Sequence, residues 1–175
     1  QGHHLRQAVD TTAAGIDFQF RHMHEVCPEL TLDLLCHGPI EKGIDASHGG
    51  VEHCLFGVDA AGLANVADSF AAIEERIEKQ KRITWKKLLE FLDSGWAGNE
   101  GERARLMMKN VPRFGAGGTT ADGWAIRITR LYTDAVNEKL TPDGHRMIPG
   151  LFSWALTILM GKKLGATPDG RHAGE

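Results

Sequence analysis

The stretch LTILMGKKLGATPDGRHAGE, residues 156–175, carries the most specific pattern in the chain. Its turn motif comprises Thr167, Pro168, Asp169, Gly170 and Arg171. Pro168 fixes its own φ, Asp169 can accept a hydrogen bond from the backbone ahead of it, and Gly170 can take a positive φ, which together predict a tight turn. A near-copy, TPDG at residues 141–144, shows that turn chemistry alone can produce this pattern. Its meaning therefore depends on the residues around it.

Composition restricts the class of protein. Of the 175 residues, 42% are hydrophobic and 25% are charged, which is typical of a soluble globular domain or of a slice of a larger one. The net charge is -3 and the basic residues are scattered, so no nucleic-acid partner is expected. No apolar run reaches the roughly 18 residues of a membrane span, and the N-terminal residues lack the apolar core of a signal peptide. We therefore expect a cytoplasmic location and no membrane partner.

Hydrophobic periodicity predicts a mainly helical chain. The predicted helices cover residues 5–26, a segment from Pro28 to Gly38, the stripe from Val66 to Ile77, a short helix after Thr84, another ending at Pro112, and residues 121–139. Ile16 and Phe20 are expected in the buried stripe of the first helix and Leu131 in that of the last, and the glycines of residues 95–101 predict a break between the two short helices. Asp59 and Thr84 are the expected N-caps of two of them. Residues 43–62 contain five glycines and predict a loop followed by a strand. In the apolar run of residues 147–160, the second half is predicted as a buried strand because the run includes Phe152, Trp154, Thr157 and Ile158.

The context of the turn motif resembles a known family. In pyruvate formate-lyase and the other glycyl radical enzymes, an apolar strand leads through Gly-Lys-Lys and Gly-x-Thr-Pro-Asp-Gly-Arg to Ala-Gly, and residues 156–175 are similar to that segment. A second block, IEKGIDASHGGVEHCLFGVDAAGLANVADSFAAIE at residues 40–74, is similar to another stretch of the family. The matching positions there include Lys42, Gly43, Asp45, Gly49, Gly50, Gly57, Asn65, Asp68 and Ser69. Residues 116–118 depart from the family, which commonly has acidic residues in that loop.

The resemblance implies a predominantly helical α/β fold that is part of the ten-stranded α/β barrel of glycyl radical enzymes. It implies that residues 1–175 form one segment of a pyruvate formate-lyase-like domain. The family's thiyl loop, roughly Gly-Cys-Val-Glu, and its radical loop, roughly Arg-Val-x-Gly-Tyr, have no counterpart at the corresponding places of this chain. We therefore assign no catalytic, cofactor-binding or metal-binding residue and expect the chain alone to be inactive. Asp169 and Arg171 are expected to brace the loop beneath the active site through a charge-assisted hydrogen bond.

The resemblance leaves the reaction of the parent enzyme open. One possibility is radical cleavage of a C–C bond in a 2-oxo acid such as pyruvate, with CoA, and the other is radical dehydration or elimination from a small polar substrate. Either implies a glycyl radical installed by an iron-sulfur SAM activase, a homodimeric parent and anaerobic metabolism. The alternative to an enzyme segment is a stand-alone, noncatalytic helical module or a remnant of such an enzyme.

Three cysteines, Cys27, Cys36 and Cys54, are odd in number and widely spaced, which predicts neither a disulfide framework nor a zinc knuckle. Residues 49–52, GGVE, mimic the thiyl loop, but Gly50 stands where the sulfur would have to be. A catalytic role for Cys54 would need a lowered pKa, and nothing nearby in the sequence supplies one. His48, His53 and Cys54 would converge on a metal only if the glycine-rich loop folded back.

Overall fold

The computed structural model describes residues 2–153 and 156–175, which divide into two compact units. The first unit comprises the chain up to Asp59 together with Leu131–Gly150, and the second comprises Ala60–Arg130 and Leu151–Glu175. The helices are α1 (His3–Val26), α2 (Leu30–Leu35), α3 (Pro39–Lys42), α4 (Leu63–Ile73), α5 (Trp85–Asp93), α6 (Gly98–Lys109), α7 (Thr120–Asn137) and α8 (Leu156–Gly161). The strands are β1 (Phe56–Ala60) and β2 (Met147–Leu151).

In the first unit, α1 buries one stripe of short side chains. Val9, Ala13 and Asp17 are its buried residues, spaced four apart so that they share one face of the helix. The predicted stripe contained Ile16 and Phe20, which are only partly buried. The helix itself is confirmed within two residues of its predicted start, but its buried face includes the carboxylate of Asp17.

The glycine-rich loop follows α3 and is held by close backbone contacts. Asp45 accepts a hydrogen bond from the Ser47 N–H at 2.8 Å and opens a short 3₁₀ turn, Ala46–His48. Gly49 has φ +89°, and a Cβ on Gly50 would lie 1.9 Å from the Ile44 carbonyl oxygen. These contacts explain the two glycines, because any side chain at residue 50 would displace backbone.

β1 and β2 form a two-stranded parallel sheet. The Tyr132 hydroxyl donates a hydrogen bond to the Val58 carbonyl of β1, and a Cβ on Gly150 would lie 2.0 Å from Asp59 Oδ1. Asp59 therefore lies within the strand and does not cap α4, which follows Gly62 instead, so that N-cap prediction is wrong. The α/β class predicted from the sequence is confirmed for the described chain, whereas the ten-stranded barrel stays a prediction.

The predicted strand in the second half of residues 147–160 is wrong. The first part of this run forms β2, and residues 156–161 form α8; Trp154, which contributed to the prediction, lies outside the described residues. A short apolar run bounded by turn residues has no periodicity that separates a strand from a helix. Pro149 lacks an N–H donor but is tolerated in β2, since a two-stranded sheet consists only of edge strands.

The core of the second unit lies among α4, α5, α6 and the start of α7. Its buried residues are Ala71, Ala72, Ile77, Leu88, Phe91, Trp96, Ala104, Met108, Val111 and Ala121. A π-helical turn, Glu74–Lys79, extends α4. Thr84 caps α5 as predicted, because its Oγ1 accepts the Lys87 N–H at 3.2 Å. α6 begins at Gly98, earlier than the glycines suggested, and includes Gly101, where a Cβ would lie 2.6 Å from the Trp96 carbonyl oxygen.

Candidate functional site

The turn motif forms the turn that its sequence predicts. The Thr167 N–H donates to the Arg171 carbonyl at 3.1 Å, and the Gly170 N–H donates to the Thr167 carbonyl at 3.0 Å. The near-copy in the first unit makes the same two bonds, each 2.9 Å long, from Thr141 to His145 and from Gly144 to Thr141. Both glycines have positive φ, +86° and +88°. The two motifs therefore share one local geometry, and their side chains decide what each one holds.

Asp169 is the buried centre of the turn in the second unit, with 6% of its surface exposed. Its Oδ2 accepts a hydrogen bond from Asn65 Nδ2 at 3.2 Å and lies 3.8 Å from Arg113 Nη1. Its Oδ1 accepts the Thr167 hydroxyl, and its backbone carbonyl accepts Arg113 Nη2 at 2.7 Å. A buried carboxylate is tolerated only when it is paired and hydrogen-bonded, and this one is both.

Asn65 and Asp68 reach this turn from α4. They are three residues apart and so project from the same side of the helix. Arg113 Nη1 contacts Asp68 Oδ2 at 3.2 Å, while Asp68 Oδ1 accepts the Phe114 N–H at 2.8 Å. Arg113 therefore bridges the two carboxylates of Asp68 and Asp169. We call Asn65, Asp68, Arg113 and Asp169 the Asp169 cluster.

Arg171 fixes the chain on either side of the turn. Its guanidinium donates hydrogen bonds to the carbonyls of Gly161 at 2.6 Å, Gly165 at 3.0 Å and Glu175 at 2.5 Å. The sequence predicted that Asp169 and Arg171 brace a loop through a charge-assisted hydrogen bond. Charge-assisted hydrogen bonds are present at both residues: Arg113 donates one to the backbone carbonyl of Asp169, and Arg171 donates to the carbonyls of residues 161, 165 and 175. That this loop lies beneath an active site stays a prediction about the parent barrel.

Sequence reasoning missed three residues that hold the turn. Arg113 provides the central cation, Arg105 Nη1 donates to the Gly170 carbonyl at 3.0 Å, and Trp96 Nε1 donates to the Arg171 carbonyl at 3.2 Å. Their partners lie between 45 and 75 residues away along the chain. No local spacing could have indicated these contacts, although a buried Asp predicts that some cation lies nearby.

A polar cleft of about 400 Å³ opens beside the Asp169 cluster. Its lining residues are Asn65, Asp68, Lys109, Arg113, Asp169, Gly170, Arg171 and Glu175. Neither a cysteine nor a histidine is among them. The carboxylates of Asp68 and Asp169 are engaged by Arg113 and Asn65, and that of Glu175 accepts the His172 N–H at 2.8 Å. The arrangement is suited to holding a turn in place.

The remaining sequence candidates lie in the first unit. A cysteine side chain would not fit at residue 50, since its Cβ would meet the Ile44 oxygen. Cys54 is exposed, and partial burial raises the pKa of its thiol, which disfavours the reactive thiolate. His48 Nδ1 lies 3.3 Å from the Phe20 carbonyl oxygen, and its ring packs on His24 with centroids 3.8 Å apart. Over the described parts of the chain, His48, His53 and Cys54 do not form a group of convergent metal ligands.

The chain is similar to known proteins in sequence and in fold. The family described as "Pyruvate formate lyase-like" matches residues 2–161, a match that ends before Thr167. The (2S)-3-sulfopropanediol dehydratase of Klebsiella oxytoca is 25% identical over 94% of this chain and 22% of its own length. The isethionate sulfite-lyase of Oleidesulfovibrio alaskensis is 29% identical over 86% of this chain and 17% of its own length.

A solved structure shows the same fold. The crystal structure of a glycyl radical enzyme from Archaeoglobus fulgidus matches 98% of this chain and 22% of its own chain, with a TM-score of 0.83 and 25% identity. The chain thus spans about a fifth of the length of the relatives it matches. Among the helices in the described residues, none is long and apolar enough to cross a membrane.

Proposed function

Because the chain belongs to the pyruvate formate lyase-like family of glycyl radical enzymes, we propose that it is an interior segment of an enzyme that eliminates water or another small group from a small polar substrate. The observation that carries this proposal is the pair of matched relatives. One is a dehydratase and the other a sulfite-lyase, and they align with 94% and 86% of this chain. Pyruvate cleavage with CoA, the other reaction that the sequence left open, has no comparable support.

The role of this segment is to position backbone. The turn at residues 167–171 is held by Asn65 of α4 and by Arg113, which both contact Asp169. Arg171 of the turn also bonds the carbonyls of residues 161, 165 and 175. Radical chemistry needs a dry cavity with walls that do not move, since water and oxygen quench the radical. The turn is fixed by the buried carboxylate of Asp169 and by the guanidinium groups of Arg113 and Arg171, so it is rigid enough to form part of such a wall.

Exposed apolar side chains support a longer protein over a stand-alone module. In the first unit, α2 exposes Leu34 by 74% and Leu35 by 76%. In the second unit, Ile158, Leu159 and Met160 of α8 are each more than half exposed. Clusters of this kind on a soluble protein mark surfaces that are covered by other protein. In the proposed parent they pack against the remaining four fifths of the polypeptide.

The proposed parent carries a glycyl radical, as the family does. We further propose that an iron-sulfur SAM activase installs the radical and that the parent is a cytoplasmic homodimer. Residues 1–175 supply neither the radical glycine nor the thiyl cysteine in this proposal. Cys54 has no catalytic role in this proposal, because it is an exposed residue and desolvation raises the pKa of its thiol.

The test is a product assay on the full-length protein that contains this segment. After anaerobic activation, it is incubated with glycerol, isethionate or (2S)-3-sulfopropanediol, and separately with pyruvate and CoA. We expect a carbonyl product with release of water or sulfite, and no acetyl-CoA. Cys54→Ser should keep this activity, whereas Asp169→Asn should reduce it because Arg113 loses a charged partner. Formation of formate and acetyl-CoA from pyruvate would contradict the proposed reaction.

A further inference from the structure

A buried carboxylate in the first unit is only half satisfied. Asp17, on the buried face of α1, has 2% of its surface exposed. Its Oδ2 accepts the Asp143 N–H at 2.8 Å, but in the part of the chain that the structure describes its Oδ1 is buried without a hydrogen-bond partner. Leaving a buried charged oxygen unpaired is costly, so a proton, a water molecule or a cation is required there.

Two other side chains that can bind a metal ion lie beside the Asp17 carboxylate. Asp17, Asp143 and His145 each offer one ligand atom, and the three atoms lie within 4.8 Å of one another. The turn at residues 141–145 presents the last two, closed by the Thr141 to His145 backbone bond. The His145 ring is held in place by stacking on Phe56, with centroids 4.4 Å apart. The three groups therefore come from two fixed elements, α1 and the turn.

The local charge favours a cation over a proton or a water molecule. Arg21 donates to both oxygens of Asp143, with Nε to Oδ2 at 2.7 Å, and it also interacts electrostatically with Asp17. Among the described residues, this guanidinium is thus shared by two carboxylates, and negative charge exceeds positive charge next to the unpaired oxygen. A carboxylate has about four lone-pair sites, so Asp143 can bind Arg21 and a metal ion together.

We propose that Asp17, Asp143 and His145 form a binding site for one divalent cation of the manganese class. Carboxylate oxygens suit Mn²⁺, and an imidazole nitrogen is also an accepted ligand of such ions. Three protein ligands leave the other coordination positions to water. The proposal concerns the first unit alone and is independent of the proposed elimination reaction.

The test is a titration of the full chain with MnCl₂ in metal-free buffer. Binding is measured as the loss of the electron paramagnetic resonance signal of free Mn²⁺. We expect saturable binding of one ion per chain. Asp17→Asn and His145→Gln should each weaken the affinity at least tenfold. The matched control is Asp10→Asn, which removes the same charge from the same helix at an exposed residue paired with Lys139. Absence of saturable binding, or equal binding by Asp17→Asn, would overturn the site.

A second variant keeps the test decisive if Asp17→Asn does not fold. Arg21→Ala removes the guanidinium that shares Asp143 and leaves all three ligands. If the site binds a cation, Mn²⁺ should raise the melting temperature of Arg21→Ala more than that of the unmodified chain, since the ion replaces the lost positive charge. If Mn²⁺ does not change the melting temperature of either protein, the three residues form only an ion-pair network and the proposal is wrong.

Discussion

Gly170 is a position of the turn motif at which a side chain would be strained. Its φ is +86°, and a Cβ would lie 2.9 Å from Lys109 Cβ and 3.0 Å from the Arg105 carbonyl oxygen. We expect Gly170→Ala to destabilise the chain by at least about 1–2 kcal/mol, from the left-handed backbone alone. Urea denaturation measures the change in the free energy of unfolding. The control is Gly165→Ala in the same loop, where a Cβ would meet no atom within 4 Å; equal losses in both variants would contradict the steric explanation.

Single residues show how far sequence reasoning reaches. The Thr-Pro-Asp-Gly turns at residues 141–144 and 167–170 follow from local chemistry, because the bonds that close them span three or four residues. Arg113 could not be identified in the same way, since its partner Asp68 is 45 residues away. Asp17 was missed for another reason: an acidic residue on a helix is expected to face solvent, and this one faces the interior.

The elements were predicted best where hydrophobic periodicity is long. α1 and α7 lie within about two residues of their predicted bounds, because several turns of pattern define each. The expected buried stripe of α7 included Leu131, which is exposed, whereas its neighbour Tyr132 is buried and bonded to β1. α8 was predicted as a strand because its six residues are too few to show a period. β1 and β2 are far apart in the sequence, so a local pattern cannot predict that they pair.

The start of α7 supplies a prediction about pH. Asp122 Oδ2 accepts the Thr119 N–H at 3.0 Å, while Thr119 Oγ1 accepts the Asp122 N–H at 3.1 Å, a reciprocal capping arrangement. Backbone hydrogen bonds from Gly115 and Thr119 lower the pKa of Asp122. Because the folded pKa lies below the unfolded value, about 3.9, this stabilisation is fully present above that pH and is lost as the pH falls through the folded pKa.

The measurement is thermal unfolding of the unmodified chain and of Asp122→Asn between pH 7 and pH 2. We expect the variant to melt at a lower temperature at neutral pH and the difference to shrink below about pH 4, where the native carboxyl becomes protonated. Asp93→Asn is the control for a general charge effect. A difference between Asp122→Asn and the unmodified chain that stays constant across this range would show that the capping carboxylate does not titrate as described.

At the scale of the whole molecule, two units of one chain each contain a closed Thr-Pro-Asp-Gly turn and an exposed apolar helix, α2 in the first and α8 in the second. The chain matches its relatives along almost all of its length while spanning about a fifth of theirs. These properties agree with a structural segment of a larger radical enzyme. We propose that this segment supports a radical centre located elsewhere in the parent.

Electron paramagnetic resonance after anaerobic treatment with a radical-SAM activase tests this proposal. The 175-residue chain and the full-length protein that contains it are treated side by side, with an activated relative as the positive control. We expect the doublet of a glycyl radical in the full-length protein and no radical signal in the 175-residue chain. A glycyl doublet in the 175-residue chain, or its absence from the full-length protein while the positive control is activated, would show that the proposal is wrong.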